Sequence, residues 1–288
     1  MFGLLSRTNP ALLVGAVAGL HVASWGMYKD ALYEGFSARK YARSVIVGAL
    51  AGLVLQLGLR FDLTSAGGLL LLFATTYALE RGLVESWKAF LRDEAQSKYF
   101  IPMAFAVNGR VVTDRLTRRL AGAGYVLALA LVAAGLALLQ PAGGARPPLV
   151  ALLLVGTAGG WISAFGGAWK DAPKEGFQLL KFFRSPALAL AYAVLLAQLS
   201  PSYLCVAFGA LGLTIATIET HKKFDRPRTA PGKFSGKPVT HPAMFRLRRL
   251  VVPVYVAIWT VVLATVAASL VEAGLLQVSP ALAEGIRG

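Results

Sequence analysis

The chain has 288 residues, of which 56% are hydrophobic and only 15% are charged. A water-soluble domain carries about 25% charged residues, so this composition and the mean hydropathy of +0.62 exclude that class. The 29 Lys and Arg residues outnumber the 14 Asp and Glu residues and give a net charge of +15. Because the apolar residues occur in long blocks, a membrane accounts for this charge and nucleic-acid binding is not needed.

Eight apolar blocks predict an all-α polytopic membrane protein, since a helix needs about 20 apolar residues to cross the hydrocarbon core. In chain order the blocks are 10–28, 44–59, 64–79, 120–140, 147–169, 185–199, 201–218 and 250–275. The second and third blocks are separated by few residues, as are the sixth and seventh, so each pair is predicted to form a tight hairpin. Because these four blocks are short, a re-entrant hairpin stays an alternative.

Basic residues are concentrated in four of the segments between the blocks. Segments 29–43, 80–119, 170–184 and 219–249 contain 4, 8, 4 and 9 of them, which is 25 of the 29 in the chain. An excess of Lys and Arg marks the cytoplasmic side of a membrane. We therefore expect a multi-pass protein of the cytoplasmic (inner) membrane, with these segments inside and both termini outside.

A repeated motif predicts how the chain is organised. Residues 29–44, the first motif, match residues 170–185, the second motif, at nine of sixteen positions; unrelated sequences would match at about one. The offset of 141 residues also places Gly15 and Gly19 on Gly156 and Gly160. We predict two tandem four-helix repeats, residues 1–141 and 142–288. With an even number of spans they enter the membrane in the same direction, related by a pseudo-twofold axis along its normal.

The carboxylates of the matched segments are the candidate catalytic residues. If the motifs are helical, their acidic residues lie four apart on one face. Such a pair needs a cation between its members, either a hard metal such as Mg²⁺ or a Lys or Arg from the motif or its copy. The predicted metal ligands are Asp30, Glu34, Asp171 and Glu175. A second match, between residues 84–92 and 218–226, adds Glu85 and Glu219 to the catalytic candidates.

Basic residues are expected to neutralise phosphate groups of a substrate, because those of the motifs lie at headgroup depth before an apolar helix. The candidates are Lys29, Lys40, Arg43, Lys88, Lys170, Lys181, Arg184, Lys222, Lys233 and Lys237. Lys233 and Lys237 belong to a Gly- and Pro-rich segment that lacks the spacing of a nucleotide-binding P-loop. A structural alternative is that the charges fix the loops and the interface between the repeats. Ser44 and Ser185 are predicted to be helix N-caps.

The first motif contains a Lys-x4-Glu-Gly-Phe string, Lys29 to Phe36, before an apolar helix that contains glycine. This string resembles the Lys-Thr-Trp-Glu-Gly-Phe string of the CTP-dependent phosphatidate and archaeol-lipid cytidylyltransferases. The late Gly-His-Gly-Gly signature of that group is absent from this chain. The resemblance implies transfer chemistry on a phosphorylated lipid.

The sequence thus favours a membrane enzyme of the transferase type that acts on a phosphorylated lipid or a nucleotide-activated substrate, with anionic membrane lipids as partners. Two other functions stay open: a transporter or flippase of an anionic solute, and a non-catalytic subunit of a membrane complex. Convergence of the two motifs into one polar cavity, a joint centre that is open to lipid and brings their carboxylates about one metal diameter apart, would favour chemistry. A polar tunnel through the bilayer would favour transport, whereas dispersed charges would favour the subunit.

Overall fold

A computed structural model describes residues 2–140, 147–224 and 230–276 of the chain. Eight long helices follow one another within these ranges. They are α1 Phe2–Glu34, α2 Ala38–Leu59, α3 Ala66–Ser86, α4 Arg115–Leu138, α5 Leu149–Glu175, α6 Leu179–Leu196, α7 Tyr203–Phe224 and α8 Met244–Glu272. The boundary predicted between the two repeats, at residues 141 and 142, lies partly outside the described residues.

Irregular turns interrupt or extend some of the helices. α5 comprises Leu149–Ala151, a π-helical turn Leu152–Gly156 and Ala158–Glu175, and α8 comprises Met244–Leu247, a 3-10 turn Arg248–Val251 and Val252–Glu272. The π-helical turn Trp87–Leu91 extends α3, and further 3-10 turns occur at Gln96–Lys98 and Gly232–Phe234. Strands β1, Ala106–Val107, and β2, Arg110–Val111, form a small antiparallel hairpin between α3 and α4.

Seven of these helices are long and apolar enough to cross a membrane, so the chain is an all-α, multi-pass membrane protein, as predicted. The exception, α3, carries Glu80, Arg81 and Glu85 in its last turns. α4 shows most clearly what surrounds the bundle, because only 11% of its apolar window is buried against the rest of the protein. Its outward residues, such as Leu116, Leu120 and Leu131, are exposed as expected for a surface that contacts lipid acyl chains.

α3 and α7 pack against each other at the centre of the bundle. α1 lies against α2 and α3, whereas α5 lies against α6 and α7, so each central helix is flanked by a helical pair. Gly212 of α7 approaches α3 so closely that a Cβ atom there would overlap the carbonyl oxygen of Ala74. Tyr77 and Leu213 are buried at this central contact.

The flanking pairs cross at glycines. A Cβ atom on Gly19 of α1 would overlap the carbonyl oxygen of Ser44 in α2. One on Gly160 of α5 would lie 2.8 Å from the carbonyl oxygen of Ser185 in α6. Small residues at such positions allow helix backbones to approach closely in a membrane.

The predicted N-cap roles of Ser44 and Ser185 are wrong. Both residues are buried inside helices, because α2 begins at Ala38 and α6 at Leu179. Ser37 caps α2 instead, with its side chain accepting a hydrogen bond from the backbone of Lys40. The basic stretches before the apolar blocks are helical, so each helix starts about two turns earlier than the apolar pattern indicates.

Candidate functional site

The first motif forms a tight turn between α1 and α2. α1 ends at Glu34, and Gly35 follows with φ of +70°, a left-handed conformation that glycine adopts without steric cost. The chain then reverses and enters α2. As a result, the Nζ atom of Lys40 lies 2.8 Å from Oε2 of Glu34.

A cleft opens beside this turn, between the ends of α1, α2 and α3, and we call it the first cleft. Its volume is about 110 Å³, which can hold a phosphate-sized group with several waters. Its basic lining residues are Lys40, Arg43, Arg81, Lys88, Arg92 and Lys233, and its acidic ones are Asp30 and Glu34. Two carboxylates just outside the lining pair with three of these cations: Glu85 with Arg81 and Lys88, and Glu94 with Arg92, whose Nη1 lies 2.7 Å from Oε2 of Glu94.

The second motif forms a similar turn between α5 and α6, with Gly176 at φ of +77° after the end of α5. The Nζ atom of Lys181 lies 2.7 Å from Oδ2 of Asp171 and 2.9 Å from Oε2 of Glu175. Beside it lies the second cleft, of about 140 Å³, between α5, α6 and α7. Its charged lining residues are Asp171, Lys181, Arg184, Glu219 and Lys222.

The two clefts are lined by matched residues. Asp30, Lys40 and Arg43 of the first cleft correspond to Asp171, Lys181 and Arg184 of the second, 141 positions further along the chain. Lys88 likewise corresponds to Lys222 in the second match. One arrangement of charged side chains around a cleft therefore occurs twice in the described part of the chain.

The loop that follows α7 covers the first motif. The ammonium group of Lys233 lies 2.7 Å from Oδ2 of Asp30 and 3.9 Å from Oε1 of Glu34. Further along this loop, the backbone N–H groups of Thr240 and His241 donate to the carbonyl oxygen of Leu32, at 3.1 and 3.0 Å. The cation expected between the first pair of carboxylates is thus a lysine from a distant segment of the chain.

The loop that follows α3 covers the second motif in turn. The indole N–H of Trp169, just before that motif, donates to the carbonyl oxygen of Ala106 at 2.9 Å. Nζ of Lys170 lies 3.4 Å from the sulfur of Met103. The two loops also contact each other, since the N–H of Phe100 donates to the carbonyl oxygen of Lys233 at 2.7 Å. Both motifs therefore lie on one side of the bundle, under a shared layer of loops.

Charges also pair crosswise at the centre of this layer. Lys29 of the first motif interacts electrostatically with Glu219 on α7, and Lys170 of the second motif interacts with Glu85 on α3. Glu85 itself lies 2.9 Å from the ammonium group of Lys88 and also contacts the guanidinium of Arg81. These interactions connect α1 of the first half with α7 of the second, and α5 of the second half with α3 of the first.

Guanidinium groups in both clefts retain buried N–H groups that have no acceptor in the described part of the chain. In the first cleft these are Nε of Arg43 and both Nε and Nη2 of Arg92. The two guanidinium groups lie 5.2 and 5.6 Å from the ring centroid of Trp87, which holds them in place by cation–π contacts. In the second cleft, Nε of Arg184 is buried and unpaired. Buried donors without an acceptor are costly in a protein that has no ligand for them.

The carboxylates predicted to bind Mg²⁺ are paired with lysines. Lys233 and Lys40 pair with the first two carboxylates, Asp30 and Glu34, and Lys181 pairs with the second two. In the described residues, no group of three or more acidic, histidine or cysteine side chains is arranged to hold a metal. The Mg²⁺ ion therefore stays a prediction.

The burial of Lys88 leads us to predict that the stability of the protein depends on pH. Burial lowers the pKa of Lys88 to about 8, although the neighbouring Glu85 favours the charged form. In the unfolded chain the pKa of lysine is about 10.4, so between these values the unfolded state binds more protons than the folded state. The free energy of unfolding should therefore rise by about 1 to 2 kcal/mol between pH 8 and pH 9.5.

The measurement is the melting temperature of the purified protein at both pH values, compared with that of Lys88→Met. The wild type should gain stability relative to the variant as the pH rises. Equal slopes for the two proteins would contradict the prediction. Below pH 8 both states are protonated at Lys88, so the cost of burying the charge is present in full there and the slope disappears.

Most of the predicted site residues lie at or between the two clefts. Asp30, Glu34, Lys40, Arg43, Lys88 and Lys233 line the first cleft, and Asp171, Lys181, Arg184, Glu219 and Lys222 line the second. Lys29, Lys170 and Glu85 lie between them, and Glu175 pairs with Lys181. Lys237 lies apart, with its ammonium group bound to the carbonyl oxygen of Ser97. Residues 225–229, which include part of the predicted basic segment, lie outside the described residues.

The structure adds three residues to the first cleft, namely Arg81, Arg92 and Tyr99. The hydroxyl of Tyr99 lies 3.1 Å from Oε1 of Glu34, and burial raises the pKa of this tyrosine. Arg92 could have been predicted from the sequence, because the match between residues 84–92 and 218–226 contains it. Arg81 could not, because its counterpart, Ile215, carries no charge.

We compared the chain with known proteins at three levels. No protein-family model matches it. No curated protein and no solved structure matches it either, so the basis for a functional assignment is the geometry of the two clefts.

Proposed function

We propose that the protein is a transferase-type membrane enzyme that acts on a phosphorylated lipid or nucleotide-activated substrate, bound in the first cleft. The observation that supports this most is the pair of guanidinium groups, Arg43 and Arg92, three of whose buried N–H groups have no acceptor in the described residues. Phosphate oxygens are the acceptors that arginine binds best, through charge-assisted hydrogen bonds. Two such guanidinium groups in one cleft favour a substrate with more than one negative charge.

The remaining residues of the first cleft would position and activate the reacting groups. Lys88, with its pKa of about 8, can hold or release a proton near neutral pH, as a general acid needs to do. Glu34 is held by Lys40 and Tyr99 and is the nearest candidate base for an incoming hydroxyl group. We expect Lys233 to keep its contact with Asp30 and to donate a further hydrogen bond to the substrate phosphate, since an ammonium group has three N–H donors.

We further propose the duplicated topology predicted from the sequence: two parallel four-helix repeats, eight spans, cytoplasmic motifs and external termini in the inner membrane. The matched cleft residues and the similar crossings at Gly19 and Gly160 support the duplication. The concentration of basic residues supports the orientation, because their side of the bundle would face anionic lipid in the cytoplasmic leaflet.

A transporter or flippase is the second candidate, and the crosswise charge pairs favour it. Lys29 on α1 interacts with Glu219 on α7, and Lys170 on α5 with Glu85 on α3, so the two halves are connected by charges at one end, as in an ionic gate. Polar side chains also lie deeper between the helices, including His21, Thr76 and Thr214, all buried. Intramembrane polar groups are typical of translocation pathways.

Binding of inorganic pyrophosphate to the purified protein in detergent tests the first cleft. Arg43→Gln and Arg92→Gln should each weaken binding about tenfold, because each removes a charge-assisted hydrogen bond. Arg39→Gln is the matched control, since Arg39 is an exposed residue of the same helix as Arg43 and does not line the cleft. Equal affinities for the three variants would exclude an anion site there.

Catalysis is tested separately by mass spectrometry of co-purified lipids and nucleotides, followed by an assay with the substrates they identify. Glu34→Gln should abolish product formation while it leaves the melting temperature within a few degrees of the wild type. Retained turnover in Glu34→Gln would exclude its catalytic role. Movement of a lipid or solute across vesicles without chemical change would favour the transporter.

A further inference from the structure

The two clefts share a framework but differ in charge. The first is lined by six basic and two acidic residues, and the second by three basic and two acidic residues. Two of the three additional cations of the first cleft have no basic counterpart in the second: Ile215 stands where Arg81 stands, and no lysine corresponds to Lys233 among the described lining residues. The third is Arg92, whose counterpart Arg226 lies outside the described residues. Among the described lining side chains the net charge is +4 in the first cleft and +1 in the second.

Most cations of the second cleft are paired with carboxylates, as they are in the first. Lys181 pairs with Asp171 and Glu175, and Lys222 lies 3.3 Å from Oε1 of Glu219. Arg184 is the exception, since its buried Nε has no acceptor in the described residues. The second cleft is therefore suited to a single negative charge, placed against Arg184.

Aromatic rings also line the second cleft and continue from it onto the outer surface of the bundle. Phe177 and Phe182 line it, and Phe182 contacts the rings of Trp161, Phe165 and Phe183. The residues that correspond to Trp161, Phe165 and Phe183 in the first half are Leu20, Ser24 and Ala42, none of which is aromatic. Phe165 and Phe183 are exposed on the outside of α5 and α6, where acyl chains lie in a membrane, and Phe177 is exposed in the turn between these helices.

We propose that the second cleft is a separate binding site for a phospholipid whose headgroup carries one negative charge. Its phosphodiester accepts the hydrogen bond of Arg184, and its acyl chains lie along the exposed phenylalanines of α5 and α6. This inference extends the proposed function, in which the first cleft binds a polyanionic substrate. The protein would then bind two anionic ligands of different charge side by side, under one layer of loops.

The test is native mass spectrometry of the protein in detergent, titrated with phosphatidylglycerol. The wild type should retain one tightly bound lipid, and Arg184→Gln should bind it about tenfold more weakly. Arg184→Lys, which keeps the charge, should recover most of the affinity, and an unfolded variant would not do so. Lys174→Gln is the control, because Lys174 is an exposed residue near the same turn but outside the cleft.

Pyrophosphate binding by the same variants separates this inference from the proposed function. Arg184→Gln should leave pyrophosphate affinity unchanged, and Arg43→Gln should leave phosphatidylglycerol affinity unchanged. If Arg184→Gln and Lys174→Gln bind the lipid equally well, the second site is refuted whatever happens in the first cleft. If Arg184→Gln weakens both ligands together, the clefts form one site and the inference is equally wrong.

Discussion

Replacing Gly19 by alanine is expected to lower the free energy of unfolding by about 3 kcal/mol, at the upper end of what overpacking usually costs. The added methyl group would overlap the backbone of Ser44 and Val45 in α2. Backbone atoms cannot move aside as a flexible side chain can, so α1 and α2 would have to separate along their whole contact. The melting temperature in one detergent, compared with that of the wild type, measures the effect.

Gly26 supplies the matched control, because it lies in the same helix and a Cβ atom there meets no atom within 4 Å. Gly26→Ala should leave stability unchanged or raise it by up to about 1 kcal/mol, since alanine is the better helix former. Gly160→Ala and Gly167→Ala repeat the comparison in α5, where Gly160 is tightly packed and Gly167 is not. Equal stabilities of Gly19→Ala and Gly26→Ala would show that the helices do not cross as described.

Replacing Lys233 by methionine should be the most damaging change in the loops, with a loss of about 3 kcal/mol. Lys233 is only 12% exposed, and its ammonium group is 2.7 Å from Oδ2 of Asp30, whose other oxygen is buried without a partner. The variant leaves this carboxylate uncompensated beside the membrane. Thermal unfolding at pH 7 is the measurement.

A double variant distinguishes this pairing from a general effect on the loop. Asp30→Asn should recover part of the stability lost in Lys233→Met, because it removes the charge that the lysine compensates. Lys237→Met, in the same loop, should cost little, since that ammonium group binds only the exposed carbonyl oxygen of Ser97. If the free-energy losses of Lys233→Met and Asp30→Asn simply add in the double variant, the two side chains are not coupled and the pairing is refuted.

The sequence was sufficient to predict a membrane protein and the approximate positions of its helices, because both follow from local composition. Apolar blocks, glycines at a constant offset and a repeated charged motif are visible without any knowledge of tertiary contacts. The helix starts were wrong for a physical reason: hydropathy marks where a helix becomes apolar, whereas the helix itself begins at Ala38, within a basic stretch. Lys40 and Arg43 are good helix formers, so they extend α2 beyond its apolar part.

The composition of the clefts was harder to predict because it depends on which loop covers which motif. The sequence suggested that the cation beside Asp30 was a metal or a basic residue of the repeated motif or its copy. It could not identify Lys233 among the basic residues, since that contact spans 203 positions. It also suggested one joint centre, whereas the structure has two clefts with the crosswise pairs of Lys29 and Lys170 between them.

Each motif is covered by a loop from the other half of the chain, and this has a consequence for biogenesis. When α1 leaves the ribosome, Asp30 has no partner at Lys233 until about two hundred further residues have been translated. During that interval Asp30 lacks the lysine that pairs with it in the folded protein. Fragments that end before residue 230 should therefore be less stable than the whole chain, and co-expression of the missing segment should restore their stability.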